Sequence, residues 1–535
     1  MITDLTTSGA ASKFEADVCI IGAGAAGISM AREFIGTSVQ VCLLESGDFE
    51  YDDDTQDLYE GTSNHQDLTN DRLRYFGGTT NHFIGESSPL DGIDFEKRDW
   101  VPHSGWPIKR NDLDPYYERA QKIMKLGPYE YGEAVWKLLN TTPHDFDEER
   151  FKTYFVQYSG HIKEGYWDWQ GPVRFGKAYR EELRTAENLN VLINANVTDI
   201  QPDEENNFIE EVTIRPLGGP ESTVRAKFFV IACGGIESAR ILLNSRSRSP
   251  QGVGNEHDLV GRFFGSHPYA DIGTLLAKDP ENVANIYSRF KKFGSVKTRP
   301  LLRLSETFQK LNETLNLSVY IVGNDDMDSG VGAATEAWRQ IKQWEFDEKF
   351  ASQLWSVITE IDEVAAQYIR ARQGKDVIIP VKPAINLWAI SEWAPNPNSR
   401  IILSDEKDAL GLQRVHVDDR IGDLELHSFR TSALALATEL ARVGLGRVHL
   451  DKWVLSNDDS WKDAMTLATA HHCGTTRMSE SPRTGVVDAN CKVHSMANLY
   501  VASAAVFPTN GYANPTVSIV ALTLRLSDHL KAKFG

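Results

Sequence analysis

The segment DVCIIGAGAAGISMAREF, residues 17–34, constrains the fold more than any other part of the chain. It passes from a short apolar run to a Gly-rich turn and then to a helical pattern, as a buried parallel strand feeding a helix does. The glycines Gly22, Gly24 and Gly27 have the spacing that permits a tight turn, close backbone approach and a helix N-terminus whose unpaired N–H groups face a pyrophosphate. A second apolar run, VQVCLLESG, follows, and Glu45 lies 23 residues after Gly22, where a carboxylate meets a ribose hydroxyl. Together they predict the opening of a doubly wound sheet that binds a dinucleotide. The turn alone does not choose FAD over NAD.

A chain of 535 residues outgrows a single hydrophobic core, so two packed domains are expected. With 41% hydrophobic and 24% charged residues, the composition is that of a globular protein. No run of about 18 apolar residues could span a bilayer, and the first residues lack the pattern of a secretory signal; a cytoplasmic protein without a membrane span is expected. Five cysteines are too few for a disulfide framework, and Cys19, Cys42 and Cys233 read as buried thiols. The net charge of −19 argues against a nucleic-acid partner, whose phosphates it would repel. Its commonest meaning is solubility, although it would also favour a cationic substrate.

Further strands are expected in NVLINANVTDI (190–200) and AKFFVIACGG (226–235), the latter leading into a helix. Residues 106–185 read as a covering and linking region. Residues 276–454 mix strands (LNLSVYIVG, SRIILSD) with helices (KFASQLWSVITEIDEVAAQYI, SFRTSALALATELARVGL) and are assigned to the substrate. The last helix opens at Pro515, is apolar around most of its circumference, and should be buried. The nucleotide-binding domain is then discontinuous, comprising 1–105, 186–275 and 455–535.

The blocks HHCGTTRM (471–478), NLYVASAAVFPTNGYANPTVSIVAL (498–522) and RYFGGTTNHF (74–83), with the N-terminal turn, resemble the glucose-methanol-choline (GMC) oxidoreductase family of FAD enzymes. The likeness is to its pyranose-oxidase and gluconate- or fructose-dehydrogenase branch, and WAPNPNSRIILSDEKDALGL (393–412) extends it; residues 276–380 carry little that matches. The resemblance implies a GMC / p-hydroxybenzoate-hydroxylase-like α/β fold. In it a Rossmann-like FAD-binding domain joins a second, α+β substrate domain built on an antiparallel sheet. By motif, His471 matches the base that takes a hydroxyl proton and Asn514 the second residue at the flavin. Imidazole titrates near neutrality, and an amide can hold the alcohol oxygen without competing for that proton. The bland readings are a hydrogen-bonded core histidine and, for Asn514, a helix N-cap before Pro515. The cap and the site can coexist, aiming the positive end of the final helix at the cofactor. Gly77, Gly78, Thr79, Asn81 and His82 match the loop against the flavin's middle portion, and Val197, Ala504, Pro515 and Thr516 are further cofactor contacts. A histidine at the place of His82 is covalently joined to flavin in some members; Asn81 and Phe83 depart from that pattern, so a covalent link and a non-covalent contact both stand.

The reaction implied is FAD-dependent oxidation of an alcohol on a sugar, glycoside or related polyol, with oxygen, a quinone or a redox protein as acceptor. Trp388, Glu392 and Trp393 are candidates for the substrate wall, since aromatic faces and carboxylates suit sugar rings, and core packing explains the tryptophans equally well. The acidic balance would accord with an aminated sugar. The rival readings are a lyase or decarboxylase on the same fold and a non-catalytic flavin-binding subunit. His471, His472 and Cys473 suggest no metal, because consecutive strand side chains face opposite ways and no second Cys or His pair has zinc spacing.

Overall fold

The structure is a computed structural model that describes residues 1–7, 10–160, 171–344, 347–373, 377–467 and 469–535. Residues 161–170 of the expected covering region lie outside the described residues. Among the described residues two large sheets carry the architecture, one of eight strands and one of nine. In the first, Ile2–Asp4, Leu189–Ile193, Val41–Leu44, Lys13–Ile21 and Ser222–Ile231 run parallel in that spatial order, and Leu499–Val501 joins the end of Ser222–Ile231. Val18, Cys19, Ile20, Phe229, Val230 and Ile231 have no exposed surface. Their continuous apolar character follows from burial of both faces of a parallel sheet. The expected single strand over 190–200 is two. Asn194 takes a left-handed φ of 56°, which side-chain amides tolerate better than most, and the chain turns into Asn196–Pro202 at the antiparallel edge of the sheet.

The second sheet is antiparallel through its main path, in the order Gly446–Leu450, Tyr269–Ala277, Val381–Ser391, Leu317–Asp325, Val296–Leu304, Phe151–Tyr158 and Glu86–Ser87. The helix Asp423–Arg442 packs on it through Phe429, Ala433, Leu436 and Leu440. The sheets do not follow the borders drawn from the sequence. Phe151–Tyr158, from the expected covering region, is an interior strand of the second sheet, and Glu86–Ser87 and Met465–Thr466 cross into it from the nucleotide-binding blocks. The Trp- and Tyr-rich character of the covering region reflects core positions, with Trp106, Tyr117 and Phe155 buried.

The final helix runs Thr516–Lys531 and buries Val517, Val520, Ala521, Leu524 and Leu526. It packs against Ala25–Glu33, the helix that follows the Gly-rich turn. The two ends of the chain thereby build one side of one cavity.

Candidate active site

That cavity, of about 680 Å³, runs from the Gly-rich turn to the start of the final helix. Its nucleotide end is made of glycines with three distinct jobs. Gly22 has φ 101°, a conformation open to glycine, and a Cβ there would lie 2.8 Å from the Ala232 carbonyl oxygen. Gly24 has nothing within 4 Å of where its Cβ would be, so its bare backbone faces open space at the start of the helix Ala25–Glu33. Gly27 lines no part of the cavity; its Cβ would drive into the Gly22 carbonyl, so it sets the contact between helix and strand. This is the division of labour that brings a pyrophosphate onto a helix N-terminus.

Glu45 lines the cavity and is buried. Its Oε2 accepts the Ala23 N–H at 3.0 Å, and its Oε1 accepts the Gly47 N–H at 3.0 Å and the Ser46 hydroxyl at 3.2 Å. Burial raises its carboxyl above the ordinary range against those bonds. A carboxylate offers about four acceptor sites, so one on Oε2 stays open for a ribose hydroxyl. Further along the wall, buried polar atoms lack hydrogen-bond partners among the described residues: Asp71 Oδ2, Arg72 Nη1, His472 Nε2 and Asn514 Oδ1. His472 Nε2 and Asp71 Oδ2 are 3.9 Å apart, too far for a direct bond. Burial lowers His472 to about 3 and raises the Asp71 carboxyl. Such orphaned groups cost free energy unless something polar meets them. A cavity that is open at Gly24 and edged by the Arg72 guanidinium and unpaired acceptors fits an FAD, with its anionic pyrophosphate and polar ribityl chain.

At the other end stands His471. Its Nδ1 lies 2.8 Å from Nδ1 of His267, a residue with no exposed surface. The far nitrogen of His267, Nε2, faces the Asn510 carbonyl at 3.4 Å. A carbonyl oxygen only accepts, so the His267 proton sits on Nε2 and its Nδ1 is a bare acceptor. His471 therefore donates from Nδ1 and presents Nε2 as a lone pair, in a ring that keeps part of its surface open to the cavity. Burial lowers His267 to about 4. Burial first, then the neighbouring His267 and His472, hold His471 well below the usual histidine range. Both rings are neutral at pH 7, as a base awaiting a proton requires.

Asn514 also lines the cavity, and it does not cap the helix that follows. Its Nδ2 donates to the Glu86 carbonyl at 3.2 Å, which fixes the amide's orientation and leaves Oδ1 without a donor among the described residues. The Glu86 carboxylate behind it accepts hydrogen bonds from the Tyr158 and Tyr320 hydroxyls and pairs with Arg299 at 3.4 Å. Tyr269 completes this aromatic corner of the wall.

Gly78, Thr79, His82, Val197, Ala504, Pro515 and Thr516 line the same cavity. Gly77 and Asn81 stand behind the loop, where Asn81 Nδ2 donates to the Phe76 carbonyl at 3.0 Å. His82 also borders an adjoining groove of about 310 Å³ with Phe83, Tyr158 and Arg174. The expected substrate wall is corrected: Trp388, Glu392 and Trp393 line neither space. Glu392 has no exposed surface because Arg98 grips it with two bonds of 2.8 and 2.5 Å. Trp393 is buried and donates its indole N–H to the Arg420 carbonyl, and Trp388 is exposed elsewhere on the strand Val381–Ser391. His267, Glu86 and Tyr269 escaped the sequence reading. The GSHPY block that holds His267 has no spacing relation to His471, so only the pairing across the fold reveals it.

Residues 395–523 match the model of the family described as GMC oxidoreductase. The fructose dehydrogenase large subunit of Gluconobacter japonicus is 26% identical over 340 residues, which cover 63% of this chain and 53% of that one. The chain thus spans about half the length of that relative. The paromamine 6'-oxidase of Streptomyces fradiae is 23% identical across 95% of this chain and 90% of its own. Among solved structures, a formate oxidase superposes with a TM-score of 0.57 at 16% identity, covering 98% of this chain and 99% of that one. The region that matches the GMC oxidoreductase model holds His471 and Asn514, and the chain shares its overall fold with the formate oxidase.

Proposed function

We propose that the chain is an FAD-dependent oxidase or dehydrogenase that converts an alcohol group of a sugar-like small molecule to a carbonyl. One observation carries the reading: His471 and Asn514 face the same cavity as Gly22, Gly24 and Glu45. FAD, when bound, supplies a two-electron acceptor that takes the hydride from the alcohol carbon. His471 Nε2 takes the hydroxyl proton, and the hydrogen bond from its Nδ1 to His267 fixes the ring in the tautomer that can do so. Asn514 holds the alcohol oxygen through the second hydrogen of its Nδ2, the first being held by the Glu86 carbonyl. Walls such as Ala502, Ala504 and Ile519 exclude water from the transfer. Relatives named for paromamine and fructose and the net charge of −19 together favour sugars, aminated ones included, as first substrates to try. The final electron acceptor would be oxygen, a quinone or a redox protein, and the proposed setting is the cytoplasm. Among the described residues no helix is long and apolar enough to cross a membrane.

The test is an absorbance spectrum of the purified protein before and after acid precipitation, followed by anaerobic titration with sugars, aminoglycosides and diols. The expected result is a flavin spectrum that bleaches with at least one alcohol. A yellow precipitate would mean a covalent flavin, for which His82 is the candidate attachment residue. A protein without flavin, or a flavin that no alcohol in the panel reduces, overturns the proposal.

A further inference from the structure

The strands Leu317–Asp325 and Val381–Ser391 are antiparallel neighbours that pair as far as Asp325 and Val381. A tight turn would suffice to join them. Instead the connection carries the helices Gly330–Gln343, Phe350–Thr359 and Ile361–Arg372. The first buries Val331, Ala333 and Ala337 and packs against the other two. The outer two have no buried residue, and they meet the first through polar groups: Gln353 bonds Gln340, and Glu360 accepts the Gly330 N–H. Large apolar side chains of all three helices are exposed. Trp338, Trp355, Ile358, Ile361 and Tyr368 are each more than half exposed, the reverse of how an amphipathic helix sits on its own core.

We infer that this face is a self-association surface, covered by the same face of a second copy of the chain. Charge placement favours that occupant. The helix Ile361–Arg372 has Asp362 and Glu363 in its first turn and Arg370 and Arg372 in its last. Antiparallel pairing about a two-fold axis sets the acidic end of each copy against the basic end of the other, as a self-complementary interface requires. At about 150–250 Å² for a whole aromatic side chain, the exposed aromatic and aliphatic groups approach the ~800 Å² per partner of a standard interface. A bilayer suits the face poorly. Helices that lie on membranes carry Lys and Arg along the polar side, whereas here Arg339, Lys342, Lys349, Arg370 and Arg372 are offset by Glu336, Asp347, Glu348, Glu360, Asp362 and Glu363 in a chain of net charge −19.

Sedimentation velocity of the flavin-loaded full chain over a concentration series tests the inference. Wild type is expected to sediment as a dimer and W355E/I358E as a monomer with unchanged flavin content, since neither residue lines the cavity. The charge-reversal variant D362R/E363R is expected to weaken association at least tenfold, and adding R372E to restore part of it. Wild-type protein that stays monomeric throughout the series overturns the inference, as does flotation of that monomer with neutral phosphatidylcholine vesicles or a dimer that W355E/I358E leaves intact.

Discussion

Replacing His267 by leucine leaves the Nδ1 proton of His471 in a buried place with no acceptor, since the bond it loses is the 2.8 Å contact between the two Nδ1 atoms. An unsatisfied buried donor costs about 1–3 kcal/mol. The imidazole escapes that cost by moving its proton to Nε2, which removes the lone pair that faces the cavity. The population of the competent tautomer then falls by roughly ten- to hundred-fold, and the rate of proton removal falls with it. The assay is anaerobic stopped-flow bleaching of the bound flavin by the alcohol that reduces the wild type fastest. H267L is expected to lower the limiting rate by that factor with little change in half-saturation, while His267→Gln, which keeps an acceptor at a similar reach, recovers part of the loss. H267L with normal flavin content that reduces at the wild-type rate would refute the tautomer argument.

Gly24→Ala places a methyl group in open space, so thermal stability should hold while FAD affinity falls about tenfold or more, some 1.4 kcal/mol, read by flavin fluorescence titration. Gly27→Ala pushes a methyl group into the Gly22 carbonyl and should reduce the yield of folded protein, seen as a lost cooperative melt. Arg98→Met strands the buried Glu392 carboxylate and should cost about 3–5 kcal/mol of stability, measured by chemical denaturation. Acid should destabilise the fold through its buried histidines: His267 is held at about 4 and His472 at about 3, so below the ordinary 6.5 the unfolded chain binds protons that the native state refuses. The stability is complete above pH 6.5 and is lost as pH falls toward those values, about 2 kcal/mol per histidine by pH 5. The drop in Tm from pH 7 to 5 should shrink in His472→Gln; an unchanged drop would refute the assignment.

Local pattern made much of the nucleotide half legible. The run from Asp17 to Phe34 names its own strand, turn and helix because hydrophobic period and glycine spacing are short-range signals. The helix break at Glu360, where φ is −120° and ψ 36°, was not legible, since no Gly or Pro marks it. Nor was the place of Phe151–Tyr158, whose aromatic residues read equally as cover or as core. The substrate wall misled for an electrostatic reason: Glu392 has the composition of a sugar-binding residue, and only its pairing with Arg98, 294 positions away, shows it spent in the core. His267 was missed for the same kind of reason, because the proton arrangement at His471 depends on a contact 204 residues distant.

The late arrival of Leu499–Val501 bears on how the molecule is made. Ser222–Ile231 cannot complete its parallel edge at Phe229–Ile231 until that strand emerges. Asn498, which bonds the backbone of Ile209 and Lys227, is equally late. During synthesis the nascent chain therefore holds an apolar strand with an open edge while more than half its length is still to come. Such an edge recruits other strands as readily as its own. Until residues 499–501 emerge, the exposed edge is confined to Phe229–Ile231, and rapid overexpression should fail by aggregation of unfinished and freshly released chains rather than by instability of the finished protein.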